Sequence, residues 1–259
     1  MNLHTTTVGA GPAILLLHGF TGSAEEWAEL TPALAPHRQV IAVDLPGHGR
    51  STAQCLTPSM PQCSAGLLAL MDDLGHAQFD LLGYSMGGRA ALHLAAAAPQ
   101  RVRSLILESA SPGLADPAER AARAAADDAL AERILAQGLG WFVDYWQGIP
   151  LFASQASLPA EARAALRARR LRNSPQGLAC SLRGMGTGRQ ASLWHRLGEL
   201  AMPTLLITGA LDAKFVAINR QMAALMPSAR HISLPAAGHA AHLERPQEFA
   251  DLVVGYLSS

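Results

Sequence analysis

The 259-residue chain has little cysteine and no net charge. Cysteines 55, 63 and 180 fall outside any CxxC or Cys/His ligand spacing, so neither a disulfide framework nor a zinc site is expected, and all three read as ordinary thiols. Twenty Lys and Arg balance twenty Asp and Glu. The sequence pI is near 7.2, which removes any global electrostatic case for a nucleic-acid partner or an anionic membrane surface. No apolar run reaches the ~20 residues of a membrane span, and residues 1–10 lack a basic segment leading into an apolar one. A cytoplasmic protein with a small-molecule partner is the expectation. Internal repeats and disordered low-complexity segments are also absent, and nothing in the sequence sets the oligomeric state.

What is present is apolar. Hydrophobic residues make up 49% of the chain, enough for one sizeable core. Short continuous apolar runs recur at 13–17, 40–43, 80–82, 102–107, 204–208 and 231–234, which suits strands buried on both faces of a parallel sheet. Between them, 64–74, 88–98, 216–226 and 246–257 carry apolar residues at three-and-four spacing, as amphipathic helices do. This alternation predicts an α/β fold with a doubly wound, mostly parallel sheet. It stops at 113–197, an Ala- and Arg-rich stretch with helical patterns around 117–135, 140–146, 160–171 and 177–183. The expected organisation is a core from 1–112 and 198–259, with 113–197 as an all-helical lid over the strand ends where ligands bind.

The sharpest chemical signal is Gly83-Tyr84-Ser85-Met86-Gly87, set between the apolar run ending at 82 and the helical pattern from 88. A strand-to-helix turn tight enough to expose the Ser85 hydroxyl leaves no room for side chains at 83 and 87. A serine needs an imidazole partner to act at neutral pH, and the imidazole needs an orienting acid. Asp212 follows the 204–208 run and His239 follows the last strand, so Ser85, Asp212, His239 appear in the serine–acid–histidine order, each at a strand's carboxyl end. Glu108, after the 102–107 run, is the alternative acid. His18, His48, His93 and His242 read as hydrogen-bonded structural histidines. Backbone N–H groups of Phe20, in Leu17-His18-Gly19-Phe20, and of Met86 are the expected oxyanion donors. No metal and no cofactor are expected.

Five motifs together make the chain resemble the α/β-hydrolase superfamily over nearly its whole length. They are His18-Gly19-Phe20, the run from Asp44 to Ser51, the turn at Ser85, Gly209-Ala210-Leu211-Asp212 and Gly238-His239. Within it, Arg89 after the turn, Glu108-Ser109-Ala110-Ser111-Pro112-Gly113, Pro150-Leu151-Phe152, Ser181-Leu182-Arg183-Gly184-Met185-Gly186, Asp212-Ala213-Lys214-Phe215 and His239-Ala240-Ala241-His242-Leu243-Glu244 are similar to the 2-succinyl-6-hydroxy-2,4-cyclohexadiene-1-carboxylate synthases of menaquinone biosynthesis. That resemblance implies a lyase with catalytic Ser85, Asp212 and His239. It would remove a proton from 2-succinyl-5-enolpyruvyl-6-hydroxy-3-cyclohexene-1-carboxylate and expel pyruvate. It also implies Arg89, Arg123 and Arg170 as partners of the tricarboxylate substrate, with Tyr84 and Trp146 as pocket walls. Eight of the nineteen arginines fall between Arg163 and Arg196 with no acid among them. The alternatives are a carboxylesterase or carbon–carbon bond hydrolase of the same fold, and a ligand receptor, whose mark would be a missing member of the Ser/Asp/His set; none is missing.

Overall fold

The computed structural model describes residues 2–52 and 57–258. Seven strands form one sheet: β1 (Thr5–Val8), β2 (Ala13–Leu17), β3 (Gln39–Val43), β4 (Phe79–Tyr84), β5 (Val102–Glu108), β6 (Thr204–Gly209) and β7 (Ala229–Leu234). Their spatial order is β1-β3-β2-β4-β5-β6-β7, and every neighbouring pair is parallel except β1 with β3. The short, polar β1 carries no apolar run and was not among the expected strands.

Strand periodicity splits the interior into two cores. Leu15, Leu17, Ile41, Val43, Leu81, Leu105 and Leu107 pack on one face of the sheet. Ile14, Leu16, Val40, Ala42, Leu82, Ile106 and Leu205 pack on the other. Each such side chain contributes roughly 1.5–3 kcal/mol by leaving water, which is why the central strands are unbroken apolar runs. The helices that cover the two faces, with the short pieces beside them, are α1 (Thr31–Leu34), α2 (Met60–Asp73), α3 (Met86–Ala97), α7 (Ala213–Leu225), α8 (Ala241–Glu244) and α9 (Pro246–Ser258). Helix α2 starts four residues before its apolar periodicity, because Ser59 and Gln62 form a reciprocal cap on its first turn.

Between β5 and β6 lie α4 (Pro117–Gln147), the 3₁₀ segment Pro150–Ser157, α5 (Ala160–Arg170) and α6 (Pro175–Met185), with no strand among the described residues. The two helices expected at 117–135 and 140–146 run on as one element with a break at Gly138, whose φ of 82° and ψ of 173° are not helical. Ala131, Ile134 and Phe142 of α4 pack with Leu178, Ala179 and Leu182 of α6, and Phe20, after β2, and Trp146 of α4 itself pack against this small core.

Cys63 is a buried free thiol, its pKa pushed up to about 12 by burial. Cys180 is disulfide-bonded, which corrects its reading as an ordinary thiol: spacing along the chain does not report which residues meet in space. Cys55 lies outside the described residues. Among the described residues no helix is long and apolar enough to cross a membrane.

Candidate active site

The sheet order reverses between β2 and β4, and the chain leaving both strands opens the crevice where ligands bind in such sheets. Ser85 sits there, between β4 and α3, with φ 49° and ψ −106°, a conformation side chains other than glycine rarely adopt. Two close approaches force it. A Cβ at Gly83 would run into the carbonyl of Gly87, and one at Gly87 into the carbonyl of Leu17, so α3 can pack onto the sheet only with glycine at both places. The Ser85 N–H donates to the carbonyl of Glu108 on the neighbouring strand at 2.8 Å.

Asp212 and His239 reach the same point from β6 and β7. Asp212 caps α7, accepting from the Phe215 N–H at 3.3 Å, and its other oxygen lies 2.7 Å from His239 Nδ1. His239 Nε2 is 3.0 Å from Ser85 Oγ. With Asp212 accepting from Nδ1–H, the ring presents its free Nε2 to the hydroxyl, the tautomer that can take up a proton. Phe215 packs edge-on against the imidazole at 4.5 Å between ring centres, with Tyr84 at 5.5 Å and Phe152 at 5.9 Å.

Glu108 does not contact His239. Its carboxylate takes His242 instead, at 2.8 Å from Nδ1. His18 accepts from the Leu45 N–H and donates to the Gly19 carbonyl, and burial lowers its pKa, so it is a neutral structural ring. Burial also lowers His48, to about 3, and His93, to about 4.

A cavity of ≈ 310 Å³ opens above Ser85, walled by Phe20, Tyr84, Trp146 and Phe152 and bordered by Arg89, Arg123 and Lys214. No carboxylate lines it among the described residues. Arg89 is half-buried and donates to the Met185 carbonyl at 2.7 Å and Gln190 Oε1 at 2.6 Å. Burial first, then Arg123 nearby, lower its pKa to about 10, so the cation persists at neutral pH in want of an anion. Arg123 pairs with Asp127 one turn along α4, at 2.8 Å. Arg170 is placed differently: it is buried outside the cavity lining, 5.2 Å from the Phe152 ring centre, with Nη1 unpartnered and its pKa lowered by burial. Lys214 was not singled out in the sequence, although Asp212-Ala213-Lys214 put it on the first turn of α7 beside the acid.

Phe20 and Met86 line the same cavity as Ser85. Met86 opens α3, where its N–H has no intrahelical acceptor, and the Phe20 N–H has no acceptor among the described residues. Among those residues no group of three metal-ligating side chains comes together.

The chain matches the α/β-hydrolase-fold family over residues 12–246. It is 44% identical over 252 residues to the putative 2-succinyl-6-hydroxy-2,4-cyclohexadiene-1-carboxylate synthase of Bacillus subtilis (strain 168), covering 96% of this chain and 92% of that one. The synthase of the same name from Serratia proteamaculans (strain 568) is 36% identical over 240 residues, covering 92% and 90%. The solved structure of MenH from S. aureus superposes with a TM-score of 0.94 at 34% identity, over 99% of this chain and 97% of that one.

Proposed function

Because the chain belongs to the 2-succinyl-6-hydroxy-2,4-cyclohexadiene-1-carboxylate synthases of the α/β-hydrolase fold, we propose that it is the lyase expelling pyruvate from 2-succinyl-5-enolpyruvyl-6-hydroxy-3-cyclohexene-1-carboxylate. The observation that carries this reading is a count of charges. The substrate brings three carboxylates; the cavity above Ser85 is bordered by three cations, Arg89, Arg123 and Lys214, and by no acid. Arg123 is paired with Asp127, but Arg89 and Lys214 have no carboxylate partner among the described residues, and such cations beside a nucleophile suit a polyanion, whereas a neutral ester gains nothing from them.

In this proposal Ser85, His239 and Asp212 act as a catalytic triad used as a base. His239 draws the proton from Ser85 as the serine oxygen removes the ring proton next to the succinyl carbonyl, and Asp212 stabilises the imidazolium. The electron pair of the broken C–H bond spreads onto the succinyl carbonyl oxygen, which the Phe20 and Met86 N–H groups face. That pair then forms the new ring double bond, the existing one shifts by one position, and the ring C–O bond breaks. The leaving enolate takes a proton to become pyruvate, so no water is consumed. Tyr84 and Trp146 wall the ring, Arg170 reinforces the cationic field from behind Phe152, and the 113–197 segment serves as the lid. The setting is cytoplasmic, and the partner is the tricarboxylate alone.

The purified protein is incubated with the enolpyruvyl substrate in ¹⁸O-water, with an aryl ester as control. Pyruvate release matching diene formation, with no ¹⁸O in the succinyl group, is the expected result. Faster ester turnover, or ¹⁸O in a succinate product, would replace the lyase by a hydrolase.

A further inference from the structure

One buried cluster takes no part in the chemistry above. Glu26, Glu108 and His242 are all within 9% of full burial, and they meet beneath the triad. The Glu108 carboxylate accepts both the His242 backbone N–H at 3.0 Å and the ring Nδ1–H at 2.8 Å. The other ring nitrogen, Nε2, stands 3.8 Å from Glu26 and has no hydrogen-bond partner. Trp27, Tyr84 and Phe249 surround the imidazole with ring centres at 5.0, 4.7 and 5.9 Å.

Each member grips a different part of the site. Glu26 accepts the N–H of Gly19, the residue before Phe20, at 3.0 Å. The carbonyl of Glu108 accepts the Ser85 N–H, so its backbone holds the serine while its side chain holds His242. His242 lies three residues after His239, on the same loop-to-helix connection as Gly238, whose N–H is held by Glu244 at 2.8 Å. We infer that His242 is a positioning residue: as an imidazolium between Glu26 and Glu108 it clamps the loops carrying Phe20, Ser85 and His239 to one another, and losing its proton frees the Phe20 loop.

Electrostatics agree with the geometry. Burial alone lowers the pKa of His242, but Glu108 and then Glu26 outweigh it and hold the ring at about 9. Burial raises Glu26, yet His242, with His18 and Arg169 further off, draws its carboxyl down to about 2. The other groups facing the cluster do not compete for the proton in this range. Tyr84 on β4 is raised well above 10 by burial, His18 beyond β2 is lowered by burial, and Arg170 on α5 adds positive charge near Tyr84 and Glu26. A neutral His242 would leave two buried carboxylates facing each other with no cation between them, which favours opening of the loop that holds Glu26.

The inference rests on Ser85, His239 and Asp212 being the reacting unit, but not on the identity of the substrate. It is therefore tested with a fluorophosphonate that labels Ser85, beside pyruvate release from the proposed substrate, in the parent, Glu26→Gln and His242→Gln. Nuclear magnetic resonance follows the His242 ring through its titration in the same proteins. In the parent, the labelling rate should fall as His242 loses its proton near pH 9. Glu26→Gln keeps the acceptor for Gly19 but removes a charge, so it should move both the titration and the alkaline limb down by about one unit. His242→Gln should slow labelling about 10- to 100-fold and lower kcat with KM little changed, as misplaced donors do. Labelling that stays level while His242 titrates, or an alkaline limb that Glu26→Gln leaves in place, would overturn the clamp. Normal labelling without pyruvate release would instead reject the substrate assignment and leave the clamp judged on labelling alone.

Discussion

Arg89 donates from Nη1 to the side-chain oxygen of Gln190 at 2.6 Å, so a neutral amide fixes the direction of the guanidinium without cancelling its charge. Arg89→Ala should therefore cost substrate binding more than folding. A charged hydrogen bond to a carboxylate contributes about 1.5–3 kcal/mol, which corresponds to roughly a 10- to 100-fold fall in kcat/KM, carried mainly by KM. Arg89→Lys should restore little, since an ammonium cannot present the same two-pronged face. Steady-state kinetics with the tricarboxylate checks this, and an unchanged kcat/KM would make Arg89 structural.

Replacing Ser85, Asp212 or His239 by alanine should each lower turnover by about 10³-fold or more. If the three share one proton path, as proposed, the double variant Ser85→Ala/His239→Ala should be hardly slower than either single one. Losses that multiply in single-turnover measurements would mean that the groups act separately.

Screening should distinguish the polyanion from a neutral ester. Raising the ionic strength shortens electrostatic reach to ~8 Å near physiological salt, so KM for the tricarboxylate should rise along a salt series while slow aryl-ester hydrolysis stays nearly level. Arg123→Ala and Lys214→Ala, which remove cations from the cavity edge, should flatten that rise. Arg170→Ala should flatten it less, because Arg170 stands behind Phe152. The same slope for both substrates in the parent would remove the cationic cavity from the argument.

Stability against pH follows from the buried histidines. His242 has its folded pKa raised to about 9, so its contribution is complete below its ordinary value of 6.5 and is lost as pH climbs towards 9. His48 and His93 have theirs lowered to about 3 and about 4, so the unfolded chain takes up their protons first and stability falls as pH drops below 6.5. These three groups place the maximum of Tm near pH 6.5. Calorimetry should find the alkaline decline reduced in His242→Gln and the acid decline reduced in His93→Gln.

Parts of this architecture were legible in the sequence because they depend on local rules. Gly83 and Gly87 announce the sharp turn at Ser85. In a parallel sheet all strand carboxyl ends lie on one side, so residues just after β4, β6 and β7 meet without any knowledge of side-chain packing. What escaped was whatever depends on which side chain faces which. Nothing in the spacing tells that Glu108 turns to His242 and away from His239, that Gln190 reaches Arg89, or that Cys180 has a sulfur partner. Lys214 was hidden by its ordinary place on a helix's first turn, and β1 by its polarity. The single helix with a break at Gly138 was read as two because a glycine in a helical pattern signals an ending as readily as a kink.

Ser85 and His239 are 154 positions apart, and the long helical segment between β5 and β6 lies between them. Chains emerge from the ribosome amino end first, and so the serine turn, both backbone donors and most of the arginines exist well before the histidine and aspartate do. Until β6 and β7 add themselves to the sheet edge, Ser85 is an unassisted alcohol of negligible nucleophilicity. On the proposed mechanism a growing or truncated copy is thus chemically silent, unable to attack cellular esters by accident, and reactivity switches on only when the last strands have docked.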